Sequence, residues 1–281
     1  MKQPKKGKVI FAGAGPGDPD LITVKAIRFL RKADIVLTDR LVSEEILNRY
    51  VNVNAEIINV GKQCRRGKST LQEDINSMLV EYALQGKLVV RLKGGDVSIF
   101  SNILNELETI VSKGIEYEII PGITAASGAS AYGGIPLTAR GYSTAVRFLT
   151  FYKSTIVPDD YWQQLASTDD TLVFYMSSET LVHVADKLTT NKINEDKLLA
   201  VIEQATTPFQ KITVYNLYKE KEELRSRTFI SPSLVIIGRV VGLHEQFKWQ
   251  ENLITDENYF KPILNTIPAK NSKSNKHVSA I

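Results

Sequence analysis

Short apolar runs recur along the chain, and most of them stop at a glycine, a proline or a charged residue. In the first half they are Val9-Ile10-Phe11-Ala12, Ile35-Val36-Leu37, Ile57-Ile58-Asn59-Val60, Leu88-Val89-Val90 and Tyr117-Glu118-Ile119-Ile120. Between them apolar residues return at three- and four-residue intervals. Leu21, Val24, Ile27 and Phe29-Leu30 form one such stripe, and Val42, Ile46, Leu47 and Tyr50 a second. Leu71, Ile75, Met78, Leu79 and Tyr82 form a third, and Ile99-Phe100, Ile103-Leu104 and Leu107 a fourth. The runs have the length of buried strands and the stripes have the period of one helix face. Strands alternating with helices predict a mostly parallel sheet with helices packed on it. Thr70 with Glu73 predicts a capping box at the start of the third helix.

The second half restarts the pattern with Val146–Phe151, Leu172–Met176, Leu198–Ile202, Ile212–Tyr215 and Leu234–Ile237. Leu181, Val184, Ala185 and Leu188 predict a helix, but the later runs lie too close together for a helix in every gap, so a mixed sheet with hairpins is expected. Between the halves, residues 125–131 are almost all small, behind Thr124 as a cap. Such a helix packs closely on another backbone or a ligand, which marks a junction. The apolar pattern fades from about residue 248, and residues 266–281, rich in Asn, Ser and Lys, read as a disordered tail. The expectation is an α/β protein with an N-terminal domain over 7–122 and a mostly parallel sheet, and a C-terminal domain over 123–247 with a mixed sheet. A partly disordered extension over 248–281 would follow.

Chemistry is concentrated where the first-half strands end. Val9–Ala12 runs into Gly13-Ala14-Gly15-Pro16-Gly17-Asp18-Pro19, and Leu88–Val90 into Arg91-Leu92-Lys93-Gly94-Gly95-Asp96. Neither is a known phosphate loop: the third glycine of a dinucleotide fingerprint would fall at Asp18, and no Gly-Lys-Ser/Thr follows. Each reads either as a tight turn or as a loop whose backbone lies against a ligand beyond the carboxyl ends of the strands. Asp39 and Lys62 also fall at strand ends.

Composition narrows the picture only in places. The chain of 281 residues is 43% hydrophobic with a formal net charge of +4, part of it in the terminal lysines Lys270, Lys273 and Lys276, so charge gives no nucleic-acid footprint. Lys62, Arg65, Arg66 and Lys68 form a basic cluster suited to solvent or to an anionic substrate. Cys64 is the single cysteine, which favours a reducing compartment, and His183, His244 and His277 are too scattered to ligate a metal. No apolar run reaches the roughly 18 residues of a membrane span, and Met1–Lys6 lacks a signal-type core behind it. A cytoplasmic protein without metal, membrane or nucleic acid is expected.

Five motifs in order resemble the tetrapyrrole methyltransferase superfamily, and within it the uroporphyrinogen III C-methyltransferases. They are Gly13–Pro19, Asp39-Arg40-Leu41-Val42-Ser43, Val60-Gly61-Lys62, Arg91–Asp96, and Pro121-Gly122-Ile123-Thr124 with Gly134-Ile135-Pro136-Leu137-Thr138; the resemblance runs from residue 8 to about 245. It implies two α/β domains with the active site in the cleft between them, S-adenosylmethionine (SAM) as methyl donor, S-adenosylhomocysteine (SAH) as product, and a homodimer. By position it implies SAM contacts at Pro16, Gly94, Gly95, Asp96, Ile99, Thr124, Ala125, Met176 and Ala205. Asp39 and Lys62 would be proton acceptor and donor. The sequence departs from the family at residues 97–106, where glycines and an arginine are missing, at Ala139 in place of a histidine, and at Ser177 and Ala205 in place of glycines.

The resemblance implies conversion of uroporphyrinogen III to precorrin-2 by methylation at C2 and C7, toward sirohaem or cobalamin. Alternatives are methylation of a later precorrin or a protein, or SAM or tetrapyrrole binding without turnover. The acceptor carries eight carboxylates, so a cationic mouth is expected. Arg40, Arg91, Lys93 and Arg140 are its candidates, with Lys62, Arg65, Arg66 and Arg147 in reserve.

Overall fold

The structure is a computed structural model, and it describes residues 6–63, 68–151, 157–176, 180–252, 255 and 257–260. All five first-half runs are strands: β1 (Lys8–Gly13), β2 (Ile35–Thr38), β3 (Glu56–Asn59) and, after a short hairpin β4 (Lys62–Gln63) and β5 (Lys68–Ser69), β6 (Leu88–Lys93) and β7 (Glu116–Ile120). They form one parallel sheet in the order β3-β2-β6-β1-β7. The hairpin pairs Lys62 with Ser69 and was not expected; the tip of the basic cluster, with Cys64, Arg65 and Arg66, lies outside the described residues.

Side chains alternate across the sheet as a strand requires. On one face Ile10, Ala12, Val36, Val90 and Leu92 meet Leu30 of α1 (Val24–Leu30) and Ile46 of α2 (Glu44–Tyr50). On the other Val9, Phe11, Ile35, Leu37 and Val89 meet Ile75 and Leu79 of α3 (Gln72–Leu84) and Ile110 of α4 (Leu104–Ser112). Helices therefore cover both faces, which is why Val9–Ala12 of β1 and Ile35–Leu37 of β2 are apolar on both faces. From β1 the chain leaves toward β2, and from its neighbour β6 it leaves toward β7 on the opposite side. This divergence opens the crevice in which ligands of open α/β sheets sit.

Two helix starts differ from expectation. The capping box does not form: α3 begins at Gln72 with Leu71 at the N-cap position and no side-chain cap bond. α4 begins at Leu104, five residues after Ile99, because Phe100 (φ 51) and Asn102 (φ 58) take left-handed backbone that no α-helix accommodates.

The second half gives the expected mixed sheet from β8 (Val146–Thr150), β9 (Thr171–Tyr175), β10 (Leu198–Glu203), β11 (Lys211–Asn216) and β12 (Ser233–Gly238), in the order β11-β10-β12-β9-β8. Only β8 and β9 run parallel. The junction helix α5 (Ala125–Tyr132) packs Ala126 and Ala129 on one face of this sheet, against Val173, Ala200 and Ile236. The other face carries α6 (Asp159–Ser167), not foreseen from the sequence, and the expected α7 (Leu181–Thr190), through Trp162, Leu165, Val184 and Leu188. The polypeptide after residue 248 does not detach at once: Trp249 donates its indole N–H to Ala131 O at 2.9 Å, and Asn252 pairs with both backbone groups of Ile212 at 2.7 and 2.9 Å. The expected disorder of 266–281 falls outside the described residues.

Candidate active site

Three strand ends of the first sheet meet backbone to backbone. Gly15 and Gly95 exchange hydrogen bonds, Gly95 N–H to Gly15 O at 2.7 Å and Gly15 N–H to Gly95 O at 3.1 Å. A Cβ on Gly13 would stand 2.6 Å from Gly122 N and from Gly95 O, so no side chain fits there. Asp96 completes the knot, accepting from Gly122 N–H at 2.8 Å with Oδ2 and from Ser98 N–H at 2.7 Å with Oδ1. Its carboxylate is thus engaged by the loops themselves. The glycine pair divides: Gly94 packs on Leu41, whereas Gly95, at φ +69, has nothing closer to its missing Cβ than Ala125 N at 3.8 Å. Gly95 is the cradle that a ligand can approach.

A charged cluster lies under the ends of β2 and β6. Arg91 Nη2 donates to Asp39 Oδ1 at 2.6 Å, Arg91 Nε and Lys93 Nζ donate to Glu106 Oε1 at 3.3 and 3.2 Å, and Gln72 Nε2 adds a contact at 3.4 Å. Arg91, Lys93 and Glu106 are buried at 2%, 4% and 0% exposure, while the Asp39 side chain keeps 27%. Asp39 is therefore the one member that opens outward. Burial works against the charged guanidinium of Arg91, yet the carboxylates of Asp39 and Glu106 hold its pKa above the ordinary arginine value. Burial, joined by the charge of Arg91, pushes Lys93 below the ordinary lysine value. In this geometry Arg91 and Lys93, both expected in the cationic mouth, act inward on carboxylates. Glu106 escaped the sequence reading, although a carboxylate on the apolar stripe Ile103, Leu107, Ile110 was a signal that it must have a buried partner.

In the second half further candidates lie near the start of α5. Tyr175, ending β9, receives the Ala126 N–H at 3.0 Å and lies 2.7 Å from Thr124 Oγ1. Its hydroxyl, whose pKa burial raises, caps α5 by accepting that N–H. Thr124 stands at the N-cap position as expected, but the tyrosine does the capping. Phe100 packs on the same ring at 5.0 Å. Ile99, Ala125 and Ala205 gather on one apolar cluster around Ala126 and Tyr175. Pro16 packs against Gly128, where a Cβ would meet its ring at 2.6 Å, and the Asp18 N–H donates to Thr206 Oγ1 at 3.1 Å. Met176 follows β9 at φ 54 and is half exposed.

The remaining candidates scatter. Lys62 lies in β4, just beyond the end of β3, and its side chain is outside the described residues. Arg40 is half-buried beside Asp39, and Arg140 is exposed in a tight turn between Ala139 and Ser143. Arg147 is held by Asp170 at 2.5 Å. Among the described residues no three His, Cys, Asp or Glu side chains are grouped to hold a metal, and no helix is long and apolar enough to cross a membrane.

Comparison with known proteins identifies relatives in sequence and in fold. Residues 8–219 match the tetrapyrrole (corrin/porphyrin) methylases. A siroheme synthase of Acinetobacter baylyi is 44% identical over 244 residues, 87% of this chain and 53% of that protein. One of Neisseria meningitidis serogroup B is 44% identical over 243 residues, 86% of this chain and 50% of that protein. The chain thus spans about half the length of these relatives. Among solved structures, a uroporphyrin-III C-methyltransferase from Thermus thermophilus superposes with a TM-score of 0.71 at 30% identity, covering 87% of this chain and 98% of that one. The Thermus thermophilus enzyme complexed with S-adenyl homocysteine gives 0.69 at 32% identity, covering 84% and 93%.

Proposed function

The chain belongs to the tetrapyrrole (corrin/porphyrin) methylases, and from that premise we propose that it is a SAM-dependent C-methyltransferase converting uroporphyrinogen III to precorrin-2 by methylation at C2 and C7. The observation that carries this reading is the convergence of Gly95, Ile99, Ala125 and Ala205 at the switch point of the first sheet, with the outward end of the Asp39–Arg91 pair on the same strand-end face. The open space at Gly95, which any Cβ would narrow, fits a bulky cofactor lying against the backbone.

Gly95 would approach the cofactor through its backbone, Pro16 and Ala205 would close the space behind it, and Ile99, Ala125 and Met176 would give apolar contact. Thr124 would take part as a hydroxyl already oriented by Tyr175, with Gly94 and Asp96 fixing the loop from behind. When bound, SAM supplies an electrophilic methyl group for in-line displacement by an electron-rich pyrrole carbon. The protein's main contribution is orientation: holding two reactants in attack geometry can lower a barrier by roughly 7–11 kcal/mol. Asp39 would accept the proton released as the methylated macrocycle rearranges, with Arg91 holding Oδ1 so that the other oxygen faces the cleft, and Lys62 would act as donor. Arg40 and Arg140 are the cations left to meet the substrate carboxylates. A homodimer in the cytoplasm fits this reading, and the siroheme synthase relatives favour the sirohaem branch.

The test is to incubate the protein with SAM and uroporphyrinogen III and weigh the product. A gain of two methyl groups is expected. Binding of SAH and of the macrocycle with no gain in mass would overturn catalysis, and failure to bind the macrocycle would point to a different acceptor. Asp39→Ala should slow turnover at nearly unchanged SAH affinity; full activity in that variant removes Asp39 from the mechanism.

A further inference from the structure

Residues 249–252 and 257–260 lie beyond the stretch that matches the family, yet they are built into the fold. Gln204, 1% exposed just after β10, holds residues 257–259 like a neighbouring strand: its Nε2 donates to Glu257 O at 2.9 Å and its Oε1 accepts from Tyr259 N–H at 2.7 Å. Phe260 is 5% exposed, and the Tyr259 ring stands edge-on to Phe209 at 6.0 Å and to Phe260 at 5.2 Å. These contacts anchor the segment on the second half of the molecule.

Its one described polar contact with the first half is the Tyr259 hydroxyl, 2.9 Å from Ser43 Oγ. Ser43 is 2% exposed and caps α2 by accepting the Glu45 N–H at 3.2 Å. It also closes the turn that begins at Asp39, whose carbonyl accepts the Val42 N–H at 3.2 Å. The same turn presses Leu41 onto Gly94. At its inner end the turn is fixed by Arg91; at its outer end the tie to the second half passes through Tyr259.

We infer that Tyr259 is a positioning residue for the proposed reaction, acting through Ser43 to hold the Asp39–Ser43 turn at a set distance from the strand ends of the second sheet. The inference rests on the role proposed for Asp39. Among the described contacts the hydroxyl reaches Ser43 and not the glycine loops, so its loss acts on where the carboxylate sits and bears on Gly94 only indirectly, through Leu41. A net hydrogen bond corresponds to a change of about two- to ten-fold, and kcat should fall by that order in Tyr259→Phe, which keeps the ring and its packing.

The test compares the wild type, Tyr259→Phe, Ser43→Ala and the double variant, reading kcat, KM for SAM, SAH affinity and amide hydrogen exchange of residues 40–43. Expected are a lower kcat in Tyr259→Phe at unchanged KM and SAH affinity, faster exchange across 40–43, and a double variant no worse than Ser43→Ala alone. Additive losses in the double variant, or unchanged exchange in Tyr259→Phe, overturn the inference. If the wild type transfers no methyl group, the proposed function fails, and exchange across 40–43 still decides whether Tyr259 holds the turn.

Discussion

The two sheets end their strands in different ways. The first turns its strand ends with glycines: at Gly13 and Gly122 neighbouring backbone comes so close that a side chain is excluded, while Gly15 and Gly95 pair backbone to backbone. The second turns with Met176 (φ 54), Gln204 (φ 49) and Thr206 (φ 65), residues that tolerate left-handed backbone poorly. Glycine is needed where backbone or a tightly packed side chain occupies the Cβ position, as backbone does at Gly13 and Gly122 and the Pro16 ring at Gly128. At Gln204 and Thr206 the chain keeps a functional group and accepts the strain: Gln204 grips residues 257–259 and Thr206 receives the Asp18 N–H.

The sharpest break would come from the charged support under the glycine ends. Glu106→Leu leaves Arg91 and Lys93 as adjacent buried cations, with an expected loss of about 3–5 kcal/mol in urea unfolding; a loss below about 1 kcal/mol would mean the cluster is wetter than its burial indicates. Next come two glycines on either side of the contrast. Gly122→Ala drives a methyl into Gly95 O and should destabilise by about 3 kcal/mol. Gly95→Ala meets only its dihedral cost of about 1–2 kcal/mol, yet should weaken SAH binding more, as calorimetry would reveal. Equal effects on both quantities would erase the distinction between packing glycine and ligand glycine.

On the second sheet, Thr206→Gly trades relief of left-handed strain against one lost hydrogen bond, so the net change should stay under about 1 kcal/mol by thermal unfolding. The smallest effect concerns Tyr132, whose hydroxyl donates to Asp18 at 2.5 Å. Burial, then Asp18, raises its pKa from 10.0 to about 12. The folded state therefore holds this proton more tightly than the unfolded chain does. The stabilisation is complete below pH 10 and lost as pH rises toward 12, and Tyr132→Phe should flatten that alkaline decline.

Much of the fold could be read in advance. The ten strands expected from apolar runs are all present, the central ones buried on both faces and the edge strands β3, β7 and β8 only partly covered. The start of α4 was misplaced because Ile99 and Phe100 continue the helical stripe while Phe100 and Asn102 turn left-handed, a conformation no spacing reveals. At the site, the glycine loops and Asp39 were legible as strand-end chemistry. Arg91 and Lys93 were read as cations of the substrate mouth, since a sequence shows charge but not the carboxylate that will lie over it. Tyr175 as the cap of α5 left no trace at all: its partners are 49 and 51 residues away.

By itself the sequence determined the kind of each element, the parallel character of the first sheet, the mixed character of the second and the positions of the loops that carry chemistry. These follow from periodicity and turn preference, which act over a few neighbouring residues. Tertiary structure decided which strand ends would touch, that Gly15 faces Gly95, that Glu106 draws two cations inward, and that Tyr259 reaches Ser43 across 216 positions of chain. Such contacts depend on strand order and on what is buried with what, quantities that no local window of the chain contains.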